Sequence, residues 1–162
     1  MYIEFNSNPE NKLVGDCVVR AISKVTNQDW EKTYMEVCVQ GFMMHDMPSS
    51  NSVWGGYLFT KGFRRYIIPD TYPKRYTVKQ FCIDYPKGLY LLATDQHVIA
   101  VEDGNYYDTW DSGNDFPLFL FLWFSSLVRF KAPACHAGER GFKSLLNRSI
   151  PKGVLFLIED IN

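Results

Sequence analysis

Apolar positions near the start of the chain recur at helical spacing. Val18, Val19, Ala21, Ile22 and Val25 mark one face over residues 16–24, and Asp16, just before them, is a residue type that caps helix starts. A second amphipathic helix is predicted over 29–40, where Trp30, Tyr34 and Val37 form an i, i+4, i+7 stripe and Gly41 is placed to close it. Beyond a loop rich in Met, Pro and Ser, a weaker helical pattern spans 52–61, carries the pair Gly55-Gly56 and stops at Gly62. Thr77-Val78-Lys79-Gln80 has the form of a capping box and opens a short helix that ends before Pro86.

The period then changes. Residues 89–94, 97–101 and 105–109 are short runs rich in β-branched and aromatic side chains, and they predict three antiparallel strands in a meander. A two-residue turn at Asp103-Gly104 pairs Glu102 with Asn105, Val101 with Tyr106, Ile99 with Asp108 and His97 with Trp110. In that register His97 and Asp108 project from the same side of neighbouring strands while Asp111 points away; a slip of one residue reverses this. The rest is less periodic, with a helix expected around 139–146 and a strand over 154–158. The succession predicts an α+β fold of N-terminal helices packed on a small antiparallel sheet. The core is expected over 1–112, with 113–162 as an extension packed on the same domain.

A chain of 162 residues buries about two thirds of its unfolded surface as one domain. Its 17 basic and 18 acidic side chains give a net charge of -1, so there is no general attraction to nucleic acid or anionic lipid, and no nucleic-acid partner is expected. The cluster of Lys61, Arg64, Arg65, Lys74 and Arg75 reads as solvated surface. Cys17, Cys38, Cys82 and Cys135 form no Cys-x-x-Cys pair, which argues against structural zinc and against a disulfide framework. No signal peptide opens the chain at Met1-Tyr2-Ile3-Glu4-Phe5, so a reducing cytoplasm is the expected location. The apolar stretch 116–128, from Phe116 at one end to Val128 at the other, falls short of the roughly 17–25 residues of a membrane-spanning helix. It is a buried element, a partner surface or a membrane-surface anchor.

Candidate chemistry starts at Gly15-Asp16-Cys17. A thiol in the first helical position lies among backbone N–H groups that have no intrahelical acceptor, and the partial positive charge there favours a thiolate. Asp16 opposes this unless its carboxylate caps those groups, and the plainer reading of a lone cysteine is a small buried hydrophobe. His97 is the candidate base, and Asp108 can accept a ring N–H from it, fixing the tautomer. Asn11, six residues before Cys17, is a candidate donor to an oxyanion, with Asn6 and Asn8 as alternatives; a turn-rich solvated arm explains any one of them equally well. His45 reads as a solvated loop residue, and Cys135-His136 as an incidental pair whose side chains diverge on a strand.

Asn11, Cys17 at a helix start, His97 opening a strand and Asp108 ending the next resemble the papain-like cysteine peptidase superfamily. Gly-Asp-Cys-Val-Val-Arg-Ala-Ile-Ser (15–23) and His-Val-Ile-Ala-Val-Glu-Asp-Gly-Asn-Tyr-Tyr-Asp-Thr-Trp-Asp-Ser (97–112) are similar to small papain-like proteins of bacteriophages and bacteria. The resemblance implies that Cys17 is the nucleophile, His97 the base and then acid, and Asp108 the orienter. Asn11 would be an oxyanion donor where papain-like enzymes often use Gln. The implied activity is a thiol hydrolase cleaving an amide or isopeptide bond of a protein or peptide, without metal or organic cofactor, in the host cytoplasm if phage-encoded. Asp and Val flank Cys17 in place of papain's Ser-Cys-Trp, the third member is Asp where papain has Asn, and nothing in the likeness explains residues 113–162. Two other readings remain open. One is a cell-wall amidopeptidase using the same Cys and His. The other is a non-enzymatic phage or bacterial interaction module on this scaffold, with 116–128 as a surface for a host protein.

Overall fold

The computed structural model describes residues 1–123. Strand β1 (Tyr2–Glu4) precedes three helices, α1 (Cys17–Thr26), α2 (Trp30–Met44) and α3 (Asn51–Thr60). Then come β2 (Phe63–Ile67), α4 (Val78–Asp84), β3 (Leu89–Ala93), β4 (Val98–Glu102), β5 (Asn105–Asp108) and β6 (Phe119–Trp123). The expected helix at 139–146, the strand at 154–158 and the Cys135-His136 pair lie outside the described residues.

The six strands form one sheet in the order β1-β5-β4-β3-β6-β2, with β1 parallel to β5 and every other neighbouring pair antiparallel. The α+β class is as expected, but the sheet is mixed and twice the size of the predicted meander. The three extra strands were hidden for separate reasons. β1 is too short to show a period, Arg64-Arg65 gives β2 the look of a basic surface, and β6 lies in an unbroken aromatic run. Strand β6 sits between β3 and β2, so the sheet continues across the boundary expected at residue 112. Within 116–128, Phe119, Leu120 and Phe121 are core side chains, while Phe116, Leu118 and Trp123 are exposed; residues 124–128 are outside the described part.

Helices cover both faces of the sheet. Leu91, Ala93, Val98, Ala100, Phe119 and Phe121 pack with Ile22, Val37, Trp54 and Leu58 of the first three helices. The alternate positions Leu92, Ile99, Val101, Tyr106 and Leu120 pack with Val78, Phe81 and Cys82 of α4. A strand buried on both sides reads as a near-continuous apolar run, as β3 and β4 do. Each such Leu, Ile or Phe contributes about 1.5–3 kcal/mol by leaving water.

Helix boundaries follow the sequence closely, with departures at Gly41 and in the caps of α1 and α4. Helix α2 begins at Asp29, whose carboxylate accepts the Lys32 N–H at 2.7 Å, but it runs past Gly41 to Met44 and ends on His45 at φ +55°. Its buried face is Thr33, Val37 and Gly41, while Trp30 and Tyr34 stack on each other at its rim, 4.9 Å between centroids. A Cβ at Gly41 would lie 2.8 Å from the Asp46 carbonyl oxygen, so this glycine admits the returning chain and does not stop the helix. At α4, Thr77 accepts the Gln80 N–H at 3.1 Å, yet the Gln80 amide donates onward to Asp84, leaving the capping box half made.

These two roles for glycine predict opposite signs. Gly41→Ala should lower stability by about 1–3 kcal/mol, because backbone must move to admit the methyl group. Gly56→Ala meets only the ends of the Gln40 and Met44 side chains, at 3.4 and 3.6 Å, and should raise stability by up to about 1 kcal/mol. Urea unfolding midpoints of the two variants check this; a stabilised Gly41→Ala would contradict it.

Candidate active site

The site lies where two strands part. β4 and β5 pair from Glu102↔Asn105 to Ala100↔Tyr107, and beyond that rung β5 stays with β1 through Glu4↔Asp108 and the Phe5 N–H to Asp108 carbonyl bond of 2.8 Å. His97 is fixed at the head of β4 by a tight turn. Its N–H donates to Thr94 Oγ1 at 3.1 Å, and its carbonyl accepts the Thr94 N–H at 2.8 Å. The first turn of α1 meets both strands at this end of the sheet, through Cys17 to His97 and through Arg20 to Asp108.

Cys17, His97 and Asp108 are therefore brought together. His97 Nε2 donates to Asp108 Oδ2 at 2.6 Å, and the His97 ring shares a second hydrogen bond with the Cys17 thiol. With Nε2 committed to the carboxylate, Nδ1 is the ring atom that serves the sulfur. Trp110 stacks on the imidazole at 4.2 Å between centroids and covers one ring face. Asp111 turns away, accepting from Tyr106 Oη at 2.5 Å and from the Gly113 N–H at 3.0 Å, though it lies beyond β5 and past the last rung of the ladder.

The electrostatics of the pair oppose its burial and prevail. Burial works to raise the Cys17 pKa, but the hydrogen bond and charge of His97, the Val98 N–H and the Arg20 guanidinium together bring it below the ordinary thiol value. Burial likewise works to lower His97, while hydrogen bonds to Asp108 and Cys17 and their charges lift it to about 9. Both shifts favour a thiolate beside an imidazolium. Cys82, on the buried face of α4 with no such partner, is pushed up to about 11 and remains a thiol.

Asp16 resolves the conflict its position posed. It occupies the N-cap of α1 without capping: one oxygen binds Arg20 and the other accepts the Trp30 indole N–H at 2.8 Å. The first intrahelical bond is from Arg20 N–H to the Asp16 carbonyl, 2.9 Å. The N–H groups of Cys17, Val18 and Val19 precede it and are available to an anion.

Asn11 is not joined to the triad by any contact among the described residues. Asn8 is the organiser of that segment, its buried side-chain oxygen accepting the N–H groups of Glu10 and Lys12 at 3.0 and 3.3 Å. Asn11 stands exposed on the resulting turn at φ +53°. Arg20 and Trp110 are site residues that the sequence reading passed over. The signal for Arg20 was present, a cation inside an apolar helical run four residues after an acid.

Among the described residues no group of His, Cys, Asp and Glu side chains is arranged to hold a metal ion, and no helix is long and apolar enough to cross a membrane. Compared with family models, curated proteins and solved structures, the chain matches none. Four helices on a six-stranded mixed sheet, with a thiol, an imidazole and a carboxylate in hydrogen-bonded sequence, are what the molecule itself supplies.

Asp108 heads the influences that raise His97, so Asp108→Asn should bring the imidazole pKa down from about 9 by roughly one to two pH units. An NMR titration of the His97 ring measures it. An unchanged midpoint would remove the carboxylate from this role.

Proposed function

We propose that this protein is a thiol hydrolase of the papain-like kind, cleaving an amide or isopeptide bond in a protein or peptide through Cys17, His97 and Asp108. The observation that carries the reading is the unbroken connection from a thiol at a helix start, through both nitrogens of one imidazole, to a carboxylate 3% exposed and 2.6 Å away. A structural cysteine needs none of these partners.

In the proposed reaction the Cys17 thiolate attacks the carbonyl carbon, and the electron pair displaced onto oxygen is received by the Cys17 N–H at the mouth of α1. A second donor in the person of Asn11 would require the 8–12 turn held by Asn8 to swing toward the helix. The imidazolium gives its Nδ1 proton to the leaving nitrogen as the C–N bond breaks, leaving a thioester on Cys17. Neutral His97 then takes a proton from water as the oxygen adds, the C–S bond breaks, and a carboxylic acid product leaves with the thiolate–imidazolium pair restored. Asp108 stays ionised throughout and holds Nε2–H. No step needs a metal or organic cofactor.

A second reading, a non-enzymatic interaction module, is favoured by exposed apolar side chains on α2 as well as at Phe116 and Leu118. Phe42, Met43 and Met47, at the far end of α2 and in the loop after it, are 84, 70 and 68% exposed. The two readings separate on Cys17→Ala, which ends hydrolysis and leaves a surface-borne function intact. A cell-wall amidopeptidase, the remaining variant of the enzyme reading, is distinguished by release of peptide fragments from peptidoglycan.

Labelling with a thiol-reactive electrophile at pH 6–7 should mark Cys17 and be abolished in Cys17→Ala. His97→Ala should slow it on the order of tenfold or more, toward the few per cent thiolate of an ordinary cysteine. The labelling profile should rise below the normal thiol range and stay up above pH 9, whereas hydrolysis, which needs the imidazolium as acid, should fall near pH 9, where His97 gives up its proton. Equal labelling of Cys17, Cys38 and Cys82 in the folded chain would overturn the reading.

A further inference from the structure

The proposed mechanism uses three side chains, yet the group on α1 most costly to bury is a fourth. Among the described residues Arg20 is the one buried cation, 5% exposed, set between Val19 and Ala21 on the apolar helix. A desolvated guanidinium is strongly unfavourable unless it is paired, and this one is paired on both sides. One nitrogen, Nη1, donates to Asp16 Oδ1, and the other, Nη2, lies 3.6 Å from Asp108 Oδ1. The planar fork of arginine can address two carboxylates from fixed directions, which an ammonium cannot do.

We propose that Arg20 is the positioning residue of this site: held by Asp16, it restrains the Asp108 carboxylate from the side opposite the imidazole. The inference rests on the reading of Cys17, His97 and Asp108 as a hydrolytic triad. The two oxygens of Asp108 are divided between tasks. Oδ2 receives His97 Nε2–H, while Oδ1 accepts the Thr109 N–H at 2.8 Å and faces Arg20. Rotating the carboxylate away from the imidazole would therefore break the Thr109 bond and separate a buried ion pair. Arg20 is in turn fixed, because Asp16 is anchored to α2 by the Trp30 indole N–H at 2.8 Å. The contacts run from Cys17 to His97, Asp108, Arg20 and Asp16, and Asp16 is bonded covalently to Cys17, so the network closes on itself. A space-filling arginine would not need to face the very carboxylate that serves the base. Of charged groups, Asp16 and Asp108 face the guanidinium, with His97 and Cys17 beyond them.

The test is the His97 Nε2–H proton, whose downfield, slowly exchanging NMR resonance reports the bond to Asp108. The full chain should show it, as should Lys24→Gln, which removes a cation of α1 that faces Glu102 and the Tyr107 ring, with no side-chain contact to Arg20 or Asp108 among the described residues. Arg20→Gln should lose it, and Arg20→Lys, which keeps the charge without the fork, should restore it in part. A folded Arg20→Gln protein with the wild-type resonance would overturn the inference, as would absence of the resonance from the wild-type chain. If Arg20→Gln does not fold, Arg20→Lys and Asp16→Asn decide: displacement in either supports the clamp, and wild-type spectra in both sink it. The parent reading fails separately, when wild-type Cys17 alkylates with the pH profile of an ordinary thiol.

Discussion

A carboxylate withdrawn from water must be surrounded by donors, and Asp108 organises its corner of the molecule on that requirement. Its side chain takes a ring N–H from His97, a backbone N–H from Thr109 and the charge of Arg20, while its carbonyl takes the Phe5 N–H. Those partners come from β4, from its own strand, from α1 and from the chain just after β1. One buried ion thus ties four segments that are distant in sequence. The three-residue strand β1, hardly an element by length, holds β5 in place at the rung where β4 has already left it.

The same arrangement explains how an acid can sit next to a thiol whose pKa is lowered. Left in solvent at the helix start, Asp16 would set a negative charge against the thiolate. Turned inward to Arg20 and Trp30, it is compensated, and the N–H groups of the first turn stay open. The shape of the site depends on the charge being spent internally. The imidazole is similarly hemmed in, by Asp108 at one nitrogen, Cys17 at the other and Trp110 over its face.

Helical periodicity, the caps at Asp29 and Thr77 and the Asp103-Gly104 turn were legible because each is local. The turn set the β4–β5 register as far as Ala100↔Tyr107. The expected rungs Ile99↔Asp108 and His97↔Trp110 do not form, because β5 leaves β4 there and follows β1; His97 and Asp108 meet across that opening. What could not be read depended on distant chain. Gly41 reads as a stop until the carbonyl of Asp46 is seen lying against it. Asn11 reads equally as an oxyanion donor or as part of a solvated arm, and only the folded chain shows Asn8 gathering the turn with Asn11 exposed on it. Arg64-Arg65 reads as a basic surface, whereas Arg64 donates to the Phe63 carbonyl and lies over Phe59, and Arg65 lies over Phe119 within the sheet. Aromatic density masked the alternation of β6, which sends Phe119 and Phe121 to one face and Leu120 to the other.

The place of β6 has a consequence for the order of events during synthesis. Cys17, His97 and Asp108 all leave the ribosome before Phe119–Trp123, but among the described residues β2 has no sheet neighbour except β6, and β3 has an open edge until β6 docks. Trp54 likewise waits for Phe119 and Phe121, the rings it packs against at 5.9 and 5.3 Å. A nascent chain therefore brings out Cys17, His97 and Asp108 before the described sheet can close. The surroundings of the thiol are completed by the last of the described strands to emerge.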